Sequence, residues 1–87
     1  MNNIVFTPEA WEEYTEWQKQ NMDIVNKINE LIKDIRRNGV LSGKGKPERL
    51  KHMPAYSRRI TKGHRLIYNV SKDTGVTILS CNGHYDD

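Results

Sequence analysis

Apolar residues return along this chain in two rhythms, helical in its first half and strand-like in its second. Asn3–Phe6 carries three consecutive apolar residues and reads as an opening strand. Thr7-Pro8-Glu9 is a helix start: Thr can cap, Pro tolerates the first helical position, and Glu suits the positive helix end. Trp11, Tyr14 and Trp17 then recur every third residue, which lines them along one side of that helix as core or as a helix–helix seam. Asp23 is the expected cap of a second helix, whose stripe is Ile24, Ile28, Leu31, Ile32 and Ile35 with Val25 beside it. Asn38-Gly39 supplies its stop. The short Lys19–Met22 link favours an antiparallel pair of helices.

After residue 39 the helical period is lost. Ser42-Gly43-Lys44-Gly45-Lys46-Pro47 reads as a loop, with Gly for freedom and Pro for rigidity. It lacks the spacing of a phosphate-binding P-loop. Ser57–Ile60 is a candidate strand. Arg65–Val70 alternates, with Leu66, Tyr68 and Val70 on one face and Arg65, Ile67 and Asn69 on the other. Ser71–Gly75 is a turn and Val76–Cys81 the next strand, so the two form a hairpin. The order predicts one α+β domain over residues 1–87: an N-terminal strand, then two antiparallel helices packed on one face of a mainly antiparallel sheet, in βααβββ order.

Composition changes this picture little. The chain has 87 residues, 36% hydrophobic and 29% charged, a globular balance with no apolar run of membrane-spanning length. The first residues lack the charged and apolar regions of a signal peptide. Cys81 is the sole cysteine, which suits a reducing cytoplasm, and its apolar strand marks it as core rather than nucleophile.

Charge changes it more. The formal net charge is only +3, but residues 1–18 hold four Glu and no Lys or Arg, whereas residues 44–65 hold eight Lys or Arg against one acid, Glu48. A positive field this concentrated suits a polyanion, although a solvated basic surface with no partner has the same composition.

RNA can be cut without a metal, because its own 2′-hydroxyl can attack the adjacent phosphorus. The reaction needs a base near that hydroxyl, cations for the charge building on phosphate, and an acid for the departing oxygen. Glu48 is a base in reach of the basic cluster, or an acid that only offsets local repulsion. Arg65 offers a planar fork of donors that fits phosphate oxygens. Arg58 and Arg59 fall on opposite faces of a strand, so one of the two faces the site and the other serves surface solubility. His84 can donate a proton near neutral pH, and Tyr85 can stack on a base. His52 and His64 show no metal-ligand spacing with each other, Cys81 or the tail aspartates, and no metal or cofactor is expected.

The order of these signals resembles a known family. Lys27–Asp34, Gly45-Lys46-Pro47-Glu48 with Leu50-Lys51, Ser57-Arg58-Arg59-Ile60, His64-Arg65-Leu66-Ile67-Tyr68 and the terminal His84-Tyr85 are similar to the YoeB/Txe toxins of the RelE-like superfamily. Trp11, Tyr14 and Trp17 match that family's first helix. The resemblance implies a ribosome-dependent mRNA endonuclease of a type II toxin–antitoxin pair that acts at A-site codons. It implies Glu48 as general base, Arg65 as stabiliser of the phosphorane-like transition state and His84 as general acid. Lys46, Arg49, Lys51, Arg58, Arg59 and Tyr85 are the candidate RNA contacts. The resemblance also implies that a 2′,3′-cyclic phosphate forms first. The implied partners are a Phd/YefM-type antitoxin, the ribosome with its mRNA, operator DNA through the antitoxin only, and a second copy in a homodimer.

The chain departs from the family pattern at four places. Arg49 replaces the usual Pro, the Lys51–Ser57 segment is about two residues shorter than usual, Asn82-Gly83 replaces a basic–aromatic pair, and Asp86-Asp87 extend past His-Tyr. Two other readings keep the same residues: a basic protein that occupies the ribosome or RNA without cutting, and an antitoxin-bound operon co-repressor.

Overall fold

Seven elements follow one another in the computed structural model, which describes residues 3–83. They are β1 (Ile4–Phe6), α1 (Pro8–Gln20), α2 (Met22–Asn38), β2 (Glu48–Arg49), β3 (Tyr56–Thr61), β4 (His64–Ser71) and β5 (Gly75–Ser80). Thr7 caps α1 by accepting from the Ala10 amide at 3.1 Å, with Pro8 at the first helical position, as the sequence implies. Asn21 is the whole link between the helices. Its amide donates to the Trp17 carbonyl and closes α1, while its side chain accepts from the Asp23 and Ile24 amides and opens α2. The cap of α2 is therefore Asn21 and not Asp23. The chain is extended at Asn21 and already helical at Asp23, whose charge instead suits the positive end of the helix. Tyr14 donates to Asn29 at 2.6 Å, pairing residues nearly equidistant from Asn21 as an antiparallel hairpin requires. Among the described residues no helix is long and apolar enough to cross a membrane.

The five strands form one sheet in the order β1-β5-β4-β3-β2. β1 runs parallel to β5 and the other neighbours are antiparallel. The α+β architecture and the β4–β5 hairpin match the expectation. β2 was not foreseen, because its two residues are too few to alternate; it pairs Glu48 with Ser57 and Arg49 with Tyr56. The α2 stripe is buried against Leu66, Tyr68, Val76 and Ile78 of the sheet, together with Trp17 and Cys81. Ile67 points the other way and joins Leu50 and Ala55 in a small cluster on the uncovered face. The three aromatic residues of α1 do not share one environment. Three residues on an α-helix fall 60° short of a full turn. Trp17 therefore reaches the core, Tyr14 lies at its margin, and Trp11 is 52% exposed against Phe6.

Arg58 overturns an expectation. It is fully buried on the helix-covered face, ion-paired at 2.6 Å with the buried Asp34 of α2, and so is neither an RNA contact nor a surface residue. All five of its N–H donors are used, on Tyr68 Oη, Asp34 Oδ2 and the carbonyls of Lys44, Gly39 and Ser42. Asp34 also accepts from the Lys44 amide, and Tyr68 donates to the Val40 carbonyl. This knot ties the 39–45 loop beneath the sheet. Gly43 and Gly45 permit the close approach: both have positive φ, and a Cβ at Gly43 would meet Asp34 Oδ2 at 1.9 Å. The Gly45 carbonyl accepts from the Arg59 amide, so the loop is fastened to β3 three residues before Glu48.

Candidate active site

Strand parity sorts the basic stretch. With Arg58 turned towards the helices, Ser57 and Arg59 belong to the uncovered face, and the register carries Glu48, Arg65 and Ile67 to that same face. Glu48 stands directly across from Ser57 and is exposed. Arg65 lies on the far side of β3 and donates from Nη1 to Ser57 Oγ at 3.1 Å. Ser57 thus sits between the candidate base and the candidate phosphate clamp. Across β3 the register sets Ile67 opposite Ser57, and Arg65 lies two positions along β4 on the same face.

Arg59 is directly opposite Arg65. Like charges facing each other across a strand pair disfavour the fold. Among the described residues neither arginine is ion-paired, so the arrangement is one that an anion relieves. Lys46 and Lys51 are exposed, one on each side of Glu48 in the chain. Lys44 is drawn off to Glu30 of α2, a contact that lowers the Glu30 pKa and raises that of Lys44. Arg49 pairs with Tyr56, whose ring packs with the helix-side core, so the register separates Arg49 from Glu48.

His84 and Tyr85 lie outside the described residues. The segment that leads to them is described. Cys81 is buried in the core, as expected of it, and burial followed by the nearby Glu13 charge pushes its thiol up to about 12. The Cys81 amide donates to Glu13 Oε1 at 2.7 Å, and its carbonyl accepts from Trp17 Nε1 at 2.8 Å. Two residues on, the Gly83 amide donates to His64 Nδ1 at 2.8 Å and its carbonyl accepts from the Arg65 amide at 3.0 Å. The last described residue before His84 is therefore bonded to Arg65 itself.

Sequence reasoning missed Ser57, Glu13, Trp17 and His64 as parts of this arrangement. Ser57 was open to discovery through strand parity, since it shares a face with Arg59. Glu13 and Cys81 are separated by 68 positions, and no local pattern links them.

The fold and site define a small α+β domain whose helix-free sheet face carries a carboxylate and two opposed arginines. Residues 6–85 match the model of the YoeB-like toxin of bacterial type II toxin–antitoxin systems. The chain belongs to that family of toxins. It is 49% identical over 84 residues to Toxin YoeB of Escherichia coli K12, covering 94% of this chain and 98% of that protein. The YoeB dimer from Staphylococcus aureus is 50% identical, with a TM-score of 0.90 over 95% of this chain and 97% of that one. A YoeB–YefM complex from S. aureus gives 0.88, at 50% identity and the same coverage.

Proposed function

We propose that this toxin is a metal-independent endoribonuclease that cuts mRNA in the ribosomal A site and so stops translation in the cytoplasm. The observation that carries this reading is the shared face of Glu48 and Arg65, with Ser57 paired to Glu48 in register and hydrogen-bonded to Arg65, Arg59 opposite Arg65, and no carboxylate paired to either arginine among the described residues.

Glu48 takes the proton from the 2′-hydroxyl as its oxygen attacks phosphorus. Arg65 and Arg59 hold the non-bridging oxygens as charge builds on them, using donors already in position. Lys46 and Lys51 attract the flanking backbone. His84 protonates the departing 5′-oxygen and Tyr85 stacks on a base. The products are a 2′,3′-cyclic phosphate and a 5′-hydroxyl.

The S. aureus relatives form a YoeB dimer and a YoeB–YefM complex. By likeness, this chain dimerises, is held inactive by a Phd/YefM-type antitoxin, and meets operator DNA only through it.

Primer extension on an mRNA in a translating lysate tests the reading. Wild-type protein yields new 3′ ends at A-site codons, and Glu48→Gln and His84→Gln yield none. Stalled translation with intact mRNA for all three proteins means that the toxin binds without cutting.

A further inference from the structure

We propose that Glu13 of α1 is a positioning residue for the proton-donating step, holding the segment from which His84 departs. This rests on the role given to His84 above.

The end of β5 needs such a holder. The β4–β5 register shifts between Ile67 and Tyr68, so Ile67 faces Ser80 while Tyr68 faces Ile78, and regular pairing ends at Ser80. Past that point α1 takes over from the ladder. One carboxylate oxygen of Glu13 accepts from both the Cys81 amide at 2.7 Å and the Ser80 hydroxyl at 3.1 Å. A carboxylate that accepts a backbone N–H makes a short, strong bond. One turn along the same helix face, Trp17 donates to the Cys81 carbonyl, and its ring meets the His64 ring edge-on at 4.8 Å. His64 in turn accepts from Gly83 through Nδ1, which puts its proton on Nε2. Every backbone polar group of Cys81 and Gly83 is thereby engaged, and the Gly83 carbonyl is bonded to the amide of Arg65.

The described residues that immediately precede His84 in the chain are thus anchored on both sides, to α1 and to β4. Glu13 therefore holds the chain leading to the acid, and that chain is bonded to the same arginine proposed to hold the phosphate. Glu13 is half-buried and forms no ion pair among the described residues, so its carboxylate serves the chain end rather than a surface network.

Single-turnover cleavage of mRNA on programmed ribosomes tests this with wild type, Glu13→Ala, Glu13→Gln, His84→Gln and the Glu13→Ala/His84→Gln double variant. Misplacing a reacting group by about an ångström costs up to about 10²-fold in rate. Glu13→Ala should lose 10- to 100-fold, on the order of that cost, at saturating ribosomes with half-saturation unchanged. Glu13→Gln, which keeps an acceptor oxygen, should retain most of the rate. The double variant should be no slower than His84→Gln alone. Should Glu13→Ala fail to fold, Trp17→Phe keeps the ring, removes the donor to Cys81, and should show the same dependence on His84. A wild-type rate for Glu13→Ala, or losses that multiply in the double variant, would overturn the role of Glu13 while leaving the site intact. No cutting by wild type, or full activity of His84→Gln, would overturn the site reading and this inference with it.

Discussion

Arg58 and Arg59 are neighbours in the chain and opposites in the molecule. One lies under the helices with all five donors spent on Asp34, Tyr68 and the carbonyls of the 39–45 loop. The other is exposed on the face of the sheet away from the helices, opposite Arg65 and without an ion pair among the described residues. A strand alternates its side chains, so a shift of one residue decides whether a guanidinium becomes part of the core or part of an anion site. The basic stretch of residues 44–65 is thus two systems. The buried one shapes the loop that leads to Glu48, and the exposed one is the surface proposed to meet the substrate.

The largest expected effect comes from breaking the buried system. Arg58→Ala leaves Asp34 charged and unpaired in the core, which costs about 3–5 kcal/mol. For a domain of ordinary stability that is a large part of the total. Urea unfolding at pH 7 should show it, whereas Arg59→Ala should stay within about 0.5 kcal/mol of wild type.

Arg65→Ala sharpens the contrast from the other side. Single-turnover cleavage should fall about 10²–10³-fold, as when one pre-aimed donor is removed from a charged transition state. Arg59→Ala should have a milder effect, read as weaker binding to a single-stranded RNA and a shallower salt dependence, by about 0.7 for one lost phosphate contact.

Acid should act on the buried face. The backbone amide of Lys44, helped by the Arg58 and Asn38 side chains, holds the Asp34 carboxyl below its ordinary range. A lowered folded-state pKa gives stability that is complete above the unfolded value, about 3.9, and is lost as pH falls towards the folded value. Wild type should lose stability below roughly pH 4 more steeply than Asp34→Asn, with the midpoint of urea unfolding as the readout. The smallest effect concerns Cys81. With its thiol pushed up to about 12, it should react slowly with a thiol reagent at neutral pH until the protein is unfolded.

The sequence was legible where a pattern repeats. Five apolar residues at helical spacing made α2 plain, and the alternation of Arg65–Val70 gave both faces of β4. It was poorly legible where one residue acts alone or two act at a distance. β2 has only two residues, Asn21 serves two helices, and the partner of Arg58 lies 24 positions away on α2. Local charge counts Arg58 with the other cations of its stretch, because burial is decided by that distant carboxylate. Glu48 stood out as the lone acid of the basic stretch and Arg65 as a candidate phosphate clamp, the family resemblance gave them their expected roles, and strand register places both on one face of the sheet.

The most direct test of the open-face account is the chemistry of the cut ends. Purified toxin would be added to programmed ribosomes, and the 3′ ends of the mRNA fragments resolved as cyclic phosphate, monophosphate or hydroxyl. The account predicts 2′,3′-cyclic phosphate at A-site codons with wild type, and uncut mRNA with Glu48→Gln on ribosomes that still bind the protein. Fragments ending in a 3′-hydroxyl, or cutting by Glu48→Gln at the wild-type rate, would contradict it.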